Sequence, residues 1–345
     1  MKLGLQLGYW GAQPPTDAVE RILEAERLGF DTVFTAEAWG SDAFGPLAWW
    51  GSQTSTIRLG TSIVQISART PVSCAMHALT IDHLSGGRMV LGLGVSGPQV
   101  VEGWYGGPFG KPLARTREYV DIVRQVLARE GPVENKGPHY PLPYEGPGSI
   151  GLGKSLKPIT HPLRADLPIW LGAEGPKNVA LTAEIADGWL PIYYAPKVAS
   201  MYREWLDEGF ARPGARRRTS DFEIATNCQV AVTDDVDATL DAMRPMLGFY
   251  IGGMGAKDMN FHKQVFARMG YEQEAEQIQD LFFEGKRDEA IAAVPPSMAA
   301  DISLVGSVNK IRDELQQWEE AGVTMLVIGG GDVGQLRRVA DVILG

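Results

Sequence analysis

Carboxylates and glycines gather where apolar runs stop. The stretch Leu171–Asn178, LGAEGPKN, follows the apolar Leu167-Pro168-Ile169-Trp170. Gly172 and Gly175 allow a tight turn from strand to helix, and Pro176 suits a first helical position, where no N–H is needed. Backbone N–H groups from Glu174 to Lys177 are then free to cradle an anion such as a phosphate, helped by the helix dipole. The same residues also fit a plain strand-to-helix turn with no ligand. Glu174 need not meet the anion, since its carboxylate can face solvent or a neighbouring Lys or Arg. A second carboxylate, Glu37, ends the run FDTVFTAE. There a charge costs free energy unless it is paired or used, so it is a candidate proton donor or acceptor.

Other strand ends carry aromatic and small residues: Tyr9 and Trp10, Trp39, Ser62 to Gln65, Val95 to Gly97, Tyr193 and Tyr194. Basic residues are scarce among them. Such a set suits a flat aromatic ligand lying against backbone better than a polyanionic sugar. Tyr9, Trp10, Trp39 and Tyr193 read as pocket walls, the first three equally as core or lid residues.

These ends belong to an alternating pattern. Strand-like runs occupy residues 2–8, 30–37, 57–65, 88–95, 167–172, 187–194, 222–232 and 323–330. Helix-like runs lie between them; the first, after Thr16, puts Val19, Ile22, Leu23 and Leu28 on one face and stops at Gly29. Residues 235–321 read as helix throughout, with breaks at glycines and at Pro295-Pro296. Eight strands, each followed by helix, predict an α/β fold of the (β/α)8 TIM-barrel type. The first strand ends in GYWG, which is no dinucleotide fingerprint and argues against a doubly wound sheet. The chain reads as one domain, 1–345, with insertions at about 131–166 and 250–300.

Composition narrows the class. The net charge of −10 argues against a nucleic-acid or anionic-membrane partner, and Arg216-Arg217-Arg218 reads as a solvated turn. Cys74 and Cys228 read as core residues, and the five histidines show no zinc spacing, so no metal is expected. His77 and His83 read as structural. The N-terminus lacks a signal-peptide pattern, and no apolar run could span a membrane, which implies a cytoplasmic protein.

With these residues assembled, the chain resembles the bacterial luciferase-like superfamily. Within it, the chain resembles the deazaflavin-dependent oxidoreductases that use coenzyme F420. The resemblance is carried by GFDTVFTAEAWGSDAF, IRLGTSIVQISARTP, HLSGGRMVLGLGVSGPQVVEGWYG, LPIWLGAEGPKNVALTAEIADGWLP and SLVGSVNKIRDELQQWEEAGVTML. It implies a bulge with a cis peptide at Ser62-Ile63, backing the cofactor's central ring, with Val64 and Gln65 following. It implies that Val95, Ser96, Gly97 and Val100 lie along the ribityl and phosphate side. Ala173, Glu174, Gly175, Pro176 and Lys177 then match the phosphate turn.

The family's Asp-His pair after the second strand is here Glu37-Ala38, and Pro98-Gln99 replace the glutamate of the sugar-phosphate branch. The implied activity is hydride transfer between the deazaflavin C5 and a small substrate, with Glu37 as proton carrier and a lid near residues 250–255. An FMN-dependent monooxygenase of the same barrel, or a flavin-binding barrel without turnover, is the alternative. Family habit implies a homodimer. An acidic cofactor tail would call for a basic patch, with Lys111, Arg115, Lys154, Lys157, Arg164 and Lys177 as candidates.

Overall fold

The computed structural model describes residues 1–345. Its strands, in chain order, are β1 (Lys2–Gln6), β2 (Thr32–Thr35), β3 (Arg58–Thr61), β4 (Val64–Gln65), β5 (Met89–Gly94), β6 (Ile169–Leu171), β7 (Gly188–Trp189), β8 (Glu223–Asn227), β9 (Gln229–Val232), β10 (Ser303–Gly306) and β11 (Met325–Gly329). The parallel order β3-β2-β1-β11-β8-β7-β6-β5-β4, with β3 also paired to β5, closes on itself. Because β3 and β4 are halves of one interrupted strand, this is the eight-stranded parallel barrel that the alternation predicts.

Three expectations of secondary structure need correction. The run 222–232 is not one strand: it breaks at Cys228, and β9 leaves the barrel to pair with β10. Residues 235–321 are not helical throughout, because Ser303–Gly306 is a strand. Its SLVG is too short and too fully buried to show a period that separates strand from helix. The run 187–194 supplies only a two-residue strand.

The barrel interior is packed solid. Phe34, Val90, Trp170, Leu190, Ala225, Met325 and Val327 fill it, and Ile63 lies on top of them. A larger apolar layer fills the space between the strands and the outer helices. The insertion before β10 brings a separate cluster, in which Ile251, Phe266, Ile278 and Met298 are buried. Tyr193 and Ala195, from the loop after β7, belong to that second cluster, so the insertion is seated on the C-terminal rim.

Arg216 and Arg217 do not form a solvated turn. Both guanidiniums reach the buried Asp187, through Nε at 2.6 and 2.8 Å, and both also pair with Asp166. Arg124 pairs with Asp187 as well.

Candidate functional site

The rim is built where the β3–β4 strand is interrupted. The Ser62–Ile63 peptide is cis, as the resemblance implies. Neighbouring strands tie down both sides of the break. Ser62 N–H donates to Thr35 O at 2.7 Å, and Glu37 N–H donates to Ile63 O at 3.1 Å. The Ile63 side chain leans over two glycines of adjoining strands. A Cβ on Gly94 would lie 2.8 Å from Ile63 Cδ1, and one on Gly172 would lie 3.4 Å from Ile63 Cγ2. Their lack of side chains lets Ile63 settle at the mouth instead of being driven out of it.

Beyond the break, Glu37 has a full set of partners. Arg69 grips its carboxylate bidentately, at 2.6 and 3.1 Å, and the backbone N–H of Gln65 donates to it at 3.0 Å. Gln65 Nε2 returns a bond to Glu37 O at 3.0 Å. The Arg69 guanidinium lies over the Phe44 ring. A fork-to-fork pair of this kind is strong and directional, and it locks the strand end.

Arg69 is a site residue that sequence reading missed. The signal was present: a carboxylate closing an apolar strand needs a cation, and QISART supplies one.

Two buried polar atoms at this edge have no partner, the acceptor Gln65 Oε1 and the hydroxyl Ser67 Oγ. Ser67 also lines a narrow cleft with Ile66, Val95, Val101, Phe109, Pro112 and Arg115. Ser96, in the loop after β5, takes the left-handed conformation at φ 60°. Gly97 then caps a short helix, Pro98–Gly103, which contains Val100.

Across the rim, β6 ends at the turn expected to hold an anion. Gly172 N–H donates to Leu93 O at 2.8 Å, and Trp189 Nε1 donates to Ala173 O at 2.8 Å. Gly175 is extended, and Pro176 opens a ten-residue helix that has no side-chain cap. Glu174 and Gly175 N–H find no backbone acceptor.

The Glu174 carboxylate does not face solvent, as one reading had it. It turns inward, where Ile192 N–H reaches it at 3.4 Å, and burial pushes its pKa up to about 8. In the unfolded chain it ionises near 4.5. The native form therefore binds more protons between these values, and its stability falls as pH rises through that window. Glu174→Gln should melt at the same temperature as wild type at pH 4.5 and several degrees higher at pH 9. The gain should be roughly 1–2 kcal/mol, discounted because the side chain is partly accessible. Thermal melts across pH read this directly.

The pocket residues separate. Tyr9 and Trp39 are about half exposed at the mouth. Trp10 packs instead toward Trp50 of the helix Phe44–Gly51, 6.4 Å between rings. Tyr193 is buried edge-on to Tyr250 and lies against Phe266 of the insertion, so it joins barrel to insertion. Tyr250 opens the segment expected as a lid, but neither it nor His262 was singled out as a site residue. Both lie in the run that reads as interrupted helix, and only the tertiary fold brings them to Tyr193.

Of the expected basic patch, Arg164 is excluded. It is bound to Asp82 and Met89 O at the opposite end of the barrel. Arg115 is held by Pro108 O and Tyr140.

No helix is long and apolar enough to cross a membrane. The orphaned Gln65 Oε1 and Ser67 Oγ, the aromatic mouth and the uncapped helix after β6 fit a flat, N–H-bearing heterocycle with a phosphate arm.

Comparison with known proteins agrees with this fold. The luciferase-like monooxygenase family model matches residues 4–325. A Mycobacterium tuberculosis protein, described as a candidate coenzyme F420-dependent oxidoreductase, is 63% identical over 99% of both chains. The 5,10-methylenetetrahydromethanopterin reductase of Archaeoglobus fulgidus is 28% identical over 93% of this chain and 91% of its own. Two solved structures share the fold. The coenzyme F420-dependent tetrahydromethanopterin reductase of Methanopyrus kandleri superposes with a TM-score of 0.81 at 24% identity, covering 99% of this chain and 98% of its own. An F420-dependent secondary alcohol dehydrogenase gives 0.75 at 18%, with the same coverage. With a matching family model across nearly its whole length and a barrel of the same form, the chain belongs to the luciferase-like monooxygenase family of oxidoreductases.

Proposed function

We propose that the protein is a coenzyme F420-dependent oxidoreductase that moves a hydride between the deazaflavin C5 and a small organic substrate at the barrel mouth. The observation that carries this reading is the interrupted β3–β4 strand, with Ile63 nested over Gly94 and Gly172 and an unpartnered acceptor on Gln65 beside it. The 63% identical relative supports F420 over FMN.

When bound, the deazaflavin supplies a carbon centre that gives or takes hydride, and the protein supplies orientation and proton management. Ser62, Ile63 and Val64 would back the ring, and Gln65 and Ser67 would accept from its N–H edge. Val95, Ser96, Gly97 and Val100 would follow the arm, and Ala173 to Lys177 would hold the phosphate. Glu37 acts here through the pair with Arg69: it fixes the Gln65 backbone and so positions the site. Tyr9 and Trp39 face the substrate, and Tyr193 supports Tyr9 through Tyr250 of the insertion.

The test is a fluorescence-quenching titration with F420 and with FMN. F420 should bind at least about tenfold tighter, a difference of about 1.4 kcal/mol. Tighter FMN binding would move the reading to a flavin monooxygenase, and no binding of either would end it. Lys177→Glu should weaken F420 more at low salt than at high salt, because the charge reversal acts through solvent.

A homodimer belongs to the same reading. The exposed side chains of Ile150, Leu152, Leu156 and Ile159 support it as an apolar surface in want of a cover. Light scattering should return twice the monomer mass.

A further inference from the structure

The insertion reaches the barrel through a pair of hydroxyls. Tyr250, on the helix Arg244–Gly253, places its hydroxyl 3.0 Å from that of Tyr9, which follows β1. Two tyrosine hydroxyls carry two protons, and their mutual bond uses one. The second proton is left for another acceptor.

Tyr250 is buried and held still, while Tyr9 is half exposed. The buried Asn260 donates to Tyr250 O at 3.1 Å and to Ile251 O at 2.7 Å. The Tyr193 and His262 rings meet the Tyr250 ring edge-on, at 5.8 and 5.0 Å.

The groups that meet the hydroxyl pair carry no charge at neutral pH. Glu37 is consumed by Arg69. Burial keeps Glu174 protonated to about 8 and pushes His262 down to about 4, so both are neutral at pH 7. The hydroxyls of Tyr193 and Tyr250 are raised by the same cause and stay as neutral donors. Arg268 is the cation whose charge reaches Glu174, but it bonds Gln264 Oε1 and lies over the Trp205 ring, and it does not bear on the Tyr193 or Tyr250 hydroxyl. A charged substrate group would find no partner here, which is costly in a desolvated site. A neutral oxygen would find one donor already oriented.

We propose that the substrate is an uncharged, largely apolar carbonyl or enone compound, or the corresponding alcohol, and that its oxygen accepts a hydrogen bond from the Tyr9–Tyr250 hydroxyl pair. The insertion thereby completes the substrate site and sets its specificity. This rests on the proposed hydride-transfer function.

The experiment uses the full chain. F420 quenching is measured first; its absence defeats the functional reading itself. The loaded enzyme is then titrated with 2-cyclohexen-1-one and, as an anionic comparator, glucose 6-phosphate. The infrared carbonyl stretch of the bound enone is recorded as well.

Cyclohexenone should bind, with its stretch lowered from the solution value, and glucose 6-phosphate should not compete. Tyr250→Phe and Tyr9→Phe should each weaken cyclohexenone about tenfold and return the stretch toward its solution value, while F420 quenching is kept. Tyr9→Phe alters a half-exposed residue, so the test stands even if Tyr250→Phe unsettles the roof. With F420 bound, three results each overturn the inference. They are no enone binding up to about 10 mM, a weak affinity by ordinary scales, tighter binding of the phosphate, or unchanged affinity and stretch in both variants.

Discussion

Arg69→Ala should cost about 3–5 kcal/mol of stability, because it leaves the Glu37 carboxylate buried without its cation. The Glu37 side chain is only 3% exposed and that of Arg69 16%, so little solvent screens the loss. The damage should spread to the site. Glu37 holds the Gln65 N–H, and Gln65 holds Glu37 O in return, so a loosened carboxylate frees the strand end beneath the cofactor. F420 affinity should fall together with the melting temperature.

Arg69→Lys should recover part of the stability but not all, since an ammonium cannot fork across both oxygens. The double variant Glu37→Leu/Arg69→Met, which removes both charges, should recover more of it. Melting and F420 titration on the same four proteins check the scheme. If Glu37→Gln instead left stability intact and displaced only the pH profile of turnover, Glu37 would be a proton carrier and not a positioning residue.

Gly92→Ala should be the most damaging small substitution in the barrel, at about 3 kcal/mol or more, and it should show as insoluble expression. A Cβ at Gly92 would lie 1.8 Å from Thr61 O and 2.9 Å from Leu190 Cδ1. The Thr61 backbone cannot retreat. It belongs to β3, whose Oγ1 both donates to Gly92 O at 2.8 Å and accepts from Gly92 N–H at 2.9 Å. Two residues on, Gly94→Ala should behave differently. Its Cβ meets side-chain atoms of Ile63 and no backbone, Cδ1 at 2.8 Å and Cγ1 at 2.9 Å, and that side chain can turn aside. That variant should fold, yet it pushes Ile63 into the mouth and should weaken F420 about tenfold or more. Solubility and melting for the first, and quenching for the second, separate a fold glycine from a site glycine.

The alternation of short apolar runs with amphipathic helices determined the barrel. Each run is buried on both faces and each helix on one, so local pattern and tertiary role coincide. The ends of those runs located the rim, and the glycines and proline of LGAEGPKN marked a helix start free of side-chain caps. The family resemblance, not any residue pattern, led to the cis bond at Ser62–Ile63.

The tertiary structure decided what the side chains do. Glu37 read as a candidate proton carrier because Arg69 lies 32 residues away, and its grip exists only when β2 and the loop after β4 are side by side. Glu174 read as facing solvent or a neighbouring Lys or Arg, since nothing adjacent in sequence buries it. The bulk that buries it comes from the loop after β7 and from the insertion. The strand β10 and the Tyr9–Tyr250 contact, 241 residues apart, depend on pairings that no local period encodes. Periodicity reports the face a residue turns to the core. The partner waiting on that face is set by chain packing, which is long-range.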